Sequence, residues 1–175
     1  MLLGVADDAA LSVVRPRVVF QWVSLLARVV LGGAIAYAGL LKIGDLQGSV
    51  TAVSAYQLPF PSWMINAIGH ALPFVEIVLG VAIIVGLFTR WTAALGGLMM
   101  VVYIVAIASV WARGLSIDCG CFSSGGLLLP GESTRYLQDI LRDVGLLICA
   151  VVIVVFPKSP LAADAWIAGP NPEEA

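Results

Sequence analysis

Charged residues are scarce in this chain. Of 175 residues, 11% are Asp, Glu, Lys or Arg against 61% hydrophobic, and the mean hydropathy is +1.02. A soluble domain carries about 25% charged residues. The polar surface needed to face water is therefore missing, and a lipid bilayer is the expected surrounding. The formal net charge of −2 lacks the basic footprint of a nucleic-acid partner. Cysteine occurs three times and histidine once. Three cysteines exclude a disulfide-stapled secreted fold, and the loop that holds two of them offers too few ligands for structural zinc. No metal site is expected from the zinc pattern, although copper(I) held by two thiolates stays open.

What the chain has instead is long apolar runs. About 20 apolar residues cross a bilayer, and four stretches meet that length: 18–41, 62–88, 92–112 and 136–156. The resulting fold class is all-α, a polytopic membrane four-helix bundle. Segment 46–58 has a weak helical pattern with polar faces, which predicts one amphipathic helix lying at the interface. Pro59-Phe60-Pro61 turns the chain into the second run, where Trp63 suits an interfacial anchor and Pro73 a kink. Residues 1–16 and 158–175 are expected to be flexible tails around a single membrane domain at 17–157. Ala36-Tyr37-Ala38 resembles a signal-peptidase site, but the first run is long enough to span and is expected to be retained.

Gly32, Gly33, Ala36 and Gly39 line one ridge of the first run, and Gly96 and Gly97 do so in the third. Such small residues let helices approach closely, either within the bundle or in a homo-oligomer. With the N-terminus inside, Arg15, Arg17, Arg90 and Lys158 are cytoplasmic, and Lys42, Arg113 and Arg135 lie outside. This balance favours cytoplasmic termini in the plasma membrane, with the 113–135 loop on the outer face, where disulfides persist.

Charges inside spans are costly and mark function or a buried pair. Counted from the inner ends of their runs, Arg28 and Glu76 fall at similar depth, which predicts an ion pair between antiparallel helices. Cys149, deep in the fourth run among Leu and Val, reads as an apolar packing residue.

The chemistry concentrates at Asp118-Cys119-Gly120-Cys121-Phe122. Two thiols separated by one glycine are held close together in a Gly-rich loop. A disulfide there needs a turned backbone, which Gly120 permits, and a strained, exposed bridge is an oxidising one. Alternatively, Cys119 or Cys121 attacks a partner's disulfide and the other resolves the mixed intermediate. His70, Arg142 and Asp143 fall near the same end, where an imidazole or guanidinium would stabilise a thiolate. Asp118 would oppose that or accept a proton. No cofactor is implied by a residue pattern, although a quinone between the helices is compatible with the chemistry.

Several segments together resemble one known family. Gly39-Leu40-Leu41-Lys42, Tyr56-Gln57-Leu58-Pro59, Leu72-Pro73-Phe74-Val75-Glu76-Ile77-Val78-Leu79-Gly80, Cys119-Gly120-Cys121-Phe122 and Arg142-Asp143 occur in the order found in MauE, the methylamine-utilisation membrane proteins grouped with DoxX-like proteins. The resemblance covers about Arg17 to Phe156. It departs after Phe122, where Ser123-Ser124 precede the glycines. The resemblance implies a four-helix membrane protein of extracytoplasmic thiol redox. It also implies a thioredoxin-fold partner and a role in maturing a disulfide-rich dehydrogenase subunit. Three functions are open: thiol–disulfide exchange through Cys119 and Cys121, a non-catalytic module that assembles a redox or respiratory partner, or copper(I) handling.

Overall fold

The computed structural model describes residues 3–118, 126–127, 134–157 and 162–163, with side chains from Val19 onward except at 118, 126 and 127. Five helices follow the apolar runs: α1 (Leu3–Ile43), α2 (Leu46–Ala55), α3 (Ser62–Val85), α4 (Thr89–Ala112) and α5 (Tyr136–Val155). Two-residue strands β1 (Ile117–Asp118) and β2 (Gly126–Leu127) pair antiparallel between α4 and α5. The boundaries expected for the four long runs hold to within a few residues, with two corrections. Residues 3–16, expected as a tail, continue α1; Ala6, Ala9 and Ala10 are strong helix formers there. The C-terminal tail is not wholly detached, since Ala162 is buried near the turn between α3 and α4.

α1 packs against α3 and α5, and α4 packs against the same two. The four long helices thus form a closed square of antiparallel neighbours, with α2 laid along α3. The α1–α3 contact is a backbone approach. A methyl group added at Gly80 would sit 2.6 Å from both the Ala36 nitrogen and the Gly32 carbonyl oxygen. Ridge residues Gly32 and Gly39 meet α3, whereas Gly33 faces open space. Gly80→Ala must therefore push the two helices apart. Overpacking of this kind costs about 1–3 kcal/mol, and Gly33→Ala should be close to neutral. Thermal unfolding of the two variants in detergent micelles checks the contrast; equal stability would remove the close approach.

Inside and outside are inverted relative to a soluble protein. Val75, Val78, Val81 and Val85 of α3 and Leu95, Leu98, Val102 and Val105 of α4 are exposed, Val78 by 70%. The buried residues include Ser24, Arg28, Lys42, Glu76, Thr89 and Asp143. Among the described residues, three helical segments are long and apolar enough to cross a membrane: Val19–Ile43, Ser62–Val85 and Thr89–Ala112. The expected fourth run, α5, carries Asp139, Arg142 and Asp143 in its first half. Its outer stripe of Leu137, Leu141, Ile148, Val151 and Val155 is nevertheless apolar and exposed.

Aromatic residues fix the thickness. Trp91 and Trp111, both exposed, lie near opposite ends of α4. At 1.5 Å per residue they stand roughly 30 Å apart, the thickness of a hydrocarbon core, with an aromatic at each interface. The expected interfacial segment is shorter than 46–58 and ends at Ala55. It buries Ser49, Ala52 and Ala55 and exposes Gln47, Thr51 and Ser54. Asp45 caps it, accepting from the Gly48 N–H at 2.8 Å.

Candidate functional site

The end of the bundle that holds the C-termini of α1 and α4 and the N-termini of α3 and α5 carries most of the polar chemistry. Its base is a small apolar core of Ala55, Ile107, Val110, Ile117 and Tyr136. Tyr136 is the tie: its hydroxyl donates to the Leu115 carbonyl at 2.5 Å and accepts from the Ile117 N–H at 2.8 Å. Arg113, at the end of α4, donates to the Tyr56 carbonyl at 2.6 Å and so holds the end of α2. β1 and β2 then pair in the register Ile117 with Leu127 and Asp118 with Gly126. The cysteine segment begins and ends on this pairing. Cys119 and Cys121, and the Asp118 side chain, lie outside the described residues.

Below that base, α5 presents Asp139, Arg142 and Asp143. The Arg142 guanidinium donates from Nη1 to Asp139 Oδ1 and from Nε to Asp143 Oδ1, both at 3.0 Å. Asp143 is 2% exposed. Arg142 and Asp143 thus pair within one helix turn. His70 does not join it. It is exposed on α3 and its Nδ1 lies 2.8 Å from the carbonyl of Asn66, one turn back on the same helix.

The expected Arg28–Glu76 ion pair is not formed. Glu76, 0% exposed, pairs instead with Lys42, Nζ to Oε1 at 2.6 Å. The Tyr103 hydroxyl donates to the same oxygen at 2.5 Å, and the ammonium lies 5.8 Å from the Tyr103 ring centroid. Arg28 reaches the far end of α3, donating from Nε to Ile83 O at 3.0 Å and from Nη2 to Ile84 O at 2.7 Å. The reason is register. Close contacts of Gly32 with Gly80 and Ile84, and of Gly39 with Pro73 and Glu76, set Arg28 opposite the C-terminus of α3. Counting both helices from their inner ends misaligned them. The same register carries Lys42, which the sequence places among the outer positive charges, toward Glu76.

Between these two groups of charges lies a cavity of about 10 Å³, lined by Glu76, Tyr103 and Asp143 with Ala38, Met99 and Met100 among its apolar walls. Glu76 Oε2 and Asp143 Oδ2 are buried without a hydrogen-bond partner among the described residues. Cys149 is a free thiol that packs, half-buried, against the main core, as expected for an apolar filler. Among the described residues no cluster of three or more His, Cys, Asp or Glu is arranged to hold a metal ion.

Apolar side chains outside and ionised groups between the helices make this a polytopic helical membrane protein. Within that class the chain belongs to the MauE family: residues 20–156 match the family model of methylamine utilisation protein MauE. Neither a curated protein nor a solved structure matches it.

Proposed function

We propose that this protein carries out thiol–disulfide exchange on the outer face of the plasma membrane, in a maturation role within methylamine utilisation. Cys119 and Cys121 are its reactive pair and a thioredoxin-fold protein is its partner. One thiolate attacks the partner's disulfide and the second cysteine resolves the mixed disulfide. The partner leaves as a dithiol and Cys119–Cys121 remain oxidised; the reverse direction returns the electrons.

The observation that carries this reading is the closed base of the cysteine segment. β1–β2 pairing and the Tyr136 hydroxyl fasten its two ends to the bundle. A pair presented from a fixed base meets a partner's disulfide with less ordering cost than one on an open loop. Membership of MauE supplies the biological setting.

In this reading α5 is the fourth span and both termini are cytoplasmic. The buried Lys42–Glu76 pair supports that orientation, because Lys42 no longer counts as a loop charge. Arg15, Arg17, Arg90 and Lys158 then stand against Arg113 and Arg135 alone.

The test is thiol labelling in intact cells with a membrane-impermeant reagent, paired with Cys121→Ser to trap a mixed disulfide. Labelling of Cys119 and Cys121 that requires prior mild reduction, and a trapped thioredoxin-fold protein, are the expected results. Full function of a Cys119→Ser/Cys121→Ser chain in cells would make the protein an assembly module instead. Tight copper(I) binding without any trapped partner would make it a metal carrier.

A further inference from the structure

We propose that the cavity between α1, α3, α4 and α5 is a proton-binding site in which Glu76 Oε2 and Asp143 Oδ2 share one proton through a single water molecule. The geometry is that of a built site. Glu76 is 0% and Asp143 2% exposed, and both line one cavity. On each carboxylate one oxygen is occupied and the other is not. Glu76 Oε1 takes both Lys42 and Tyr103, and Asp143 Oδ1 takes Arg142. The second oxygens have no donor among the described residues. Buried carboxylate oxygens left bare are costly. Two of them bordering one small cavity repel, and such pairs hold a proton in common.

The cavity volume, about 10 Å³, is near the lower limit for one water molecule. A water donating to one oxygen and accepting from the protonated other satisfies both. The charged and titratable groups that surround the pair are Lys42 from α1, Tyr103 from α4, and Asp139 and Arg142 from α5. Lys42 and Arg142 bond to the occupied oxygens and leave the second oxygens without a described donor. The site stands apart from the cysteines and holds whatever chemistry they perform.

Infrared spectroscopy of the full chain in lipid nanodiscs, at neutral pH in potassium buffer, reads it directly. Solvent-exposed carboxylates are ionised there, so a protonated-carboxyl stretch reports a buried proton. The expected spectrum has one such band, shifted in deuterated buffer. Glu76→Gln and Asp143→Asn should each remove it entirely, because one proton belongs to the pair. Absence of the band from the unsubstituted protein overturns the proposal without any variant, so failure of a variant to fold leaves the test decisive. A band that survives either substitution overturns it too. So does a band that disappears when sodium replaces potassium, which would assign the cavity to a monovalent cation.

Discussion

Replacing Lys42 with Met is expected to destabilise the bundle by about 3–5 kcal/mol, the cost of stranding one member of a buried ion pair. Glu76 is closed off from bulk water, and the donor left on Oε1 would be the Tyr103 hydroxyl. Glu76→Gln should cost less. The amide still accepts from Tyr103, and Lys42 sits one residue from the end of α1, where a long side chain can turn its ammonium toward the interface. The double variant Lys42→Met/Glu76→Gln should recover much of the loss, since no uncompensated charge remains. Unfolding of the three variants in bicelles, read as a double-mutant cycle, measures the coupling. Additive effects would mean that the 2.6 Å contact contributes nothing of its own.

This pair also shows where sequence reading succeeds and where it stops. Hydropathy marks the long helices because each must present some 20 apolar residues to lipid, and α3, α4 and α5 begin or end at punctuation visible in the chain. Pro61 precedes α3, and Gly86 closes it in the left-handed region at φ 77°. Depth along each helix was therefore readable, and both Arg28 and Glu76 were correctly marked as buried charges. Which charge meets which is a matter of register between helices, and hydropathy carries no register. The information was present elsewhere, in the small residues. Matching the Gly32–Gly39 ridge to Gly80 and Pro73 slides α1 along α3 until Lys42, not Arg28, approaches Glu76.

Tyr103 and Met100 show a second limit. Nothing in an apolar run says which residues face inward, and α4 is so uniformly apolar that its buried face, from Ala93 through Met100 to Val110, has little contrast with the other. α5 is the opposite case. Its polar residues Asp139, Arg142 and Asp143 collect on one side, so the contrast that marks an inward face is present in its sequence. His70 shows the same limit, since depth carries no azimuth: it lies at a suitable height on α3, on an exposed face.

Arg28→Met is expected to have the next largest effect, and for a different reason. The partners described for Arg28 are carbonyl oxygens rather than a carboxylate. What it leaves behind are the carbonyls of Ile83 and Ile84, at the end of a helix whose last carbonyls have no intrahelical donors. Gly86 and Leu87 both donate to Ala82 O, at 2.9 and 3.0 Å, so the turn's own N–H groups serve an earlier carbonyl. Arg28 supplies the next two while placing a cation at the negative end of α3.

At about 1–3 kcal/mol for each unsatisfied buried group, the expected loss is roughly 2–5 kcal/mol. Arg28→Lys should recover only part, because an ammonium lacks the fork that spans two adjacent carbonyls. Gly86→Ala should reproduce the damage from the other side. Its methyl would clash with the Arg28 guanidinium, on a backbone at positive φ. Chemical unfolding in bicelles ranks the three. A capping role requires Arg28→Met to be the least stable of the Arg28 variants while the Cys119–Cys121 labelling pattern stays unchanged. A Lys variant as stable as the parent chain would mean that charge, rather than the paired hydrogen bonds, holds the end of α3.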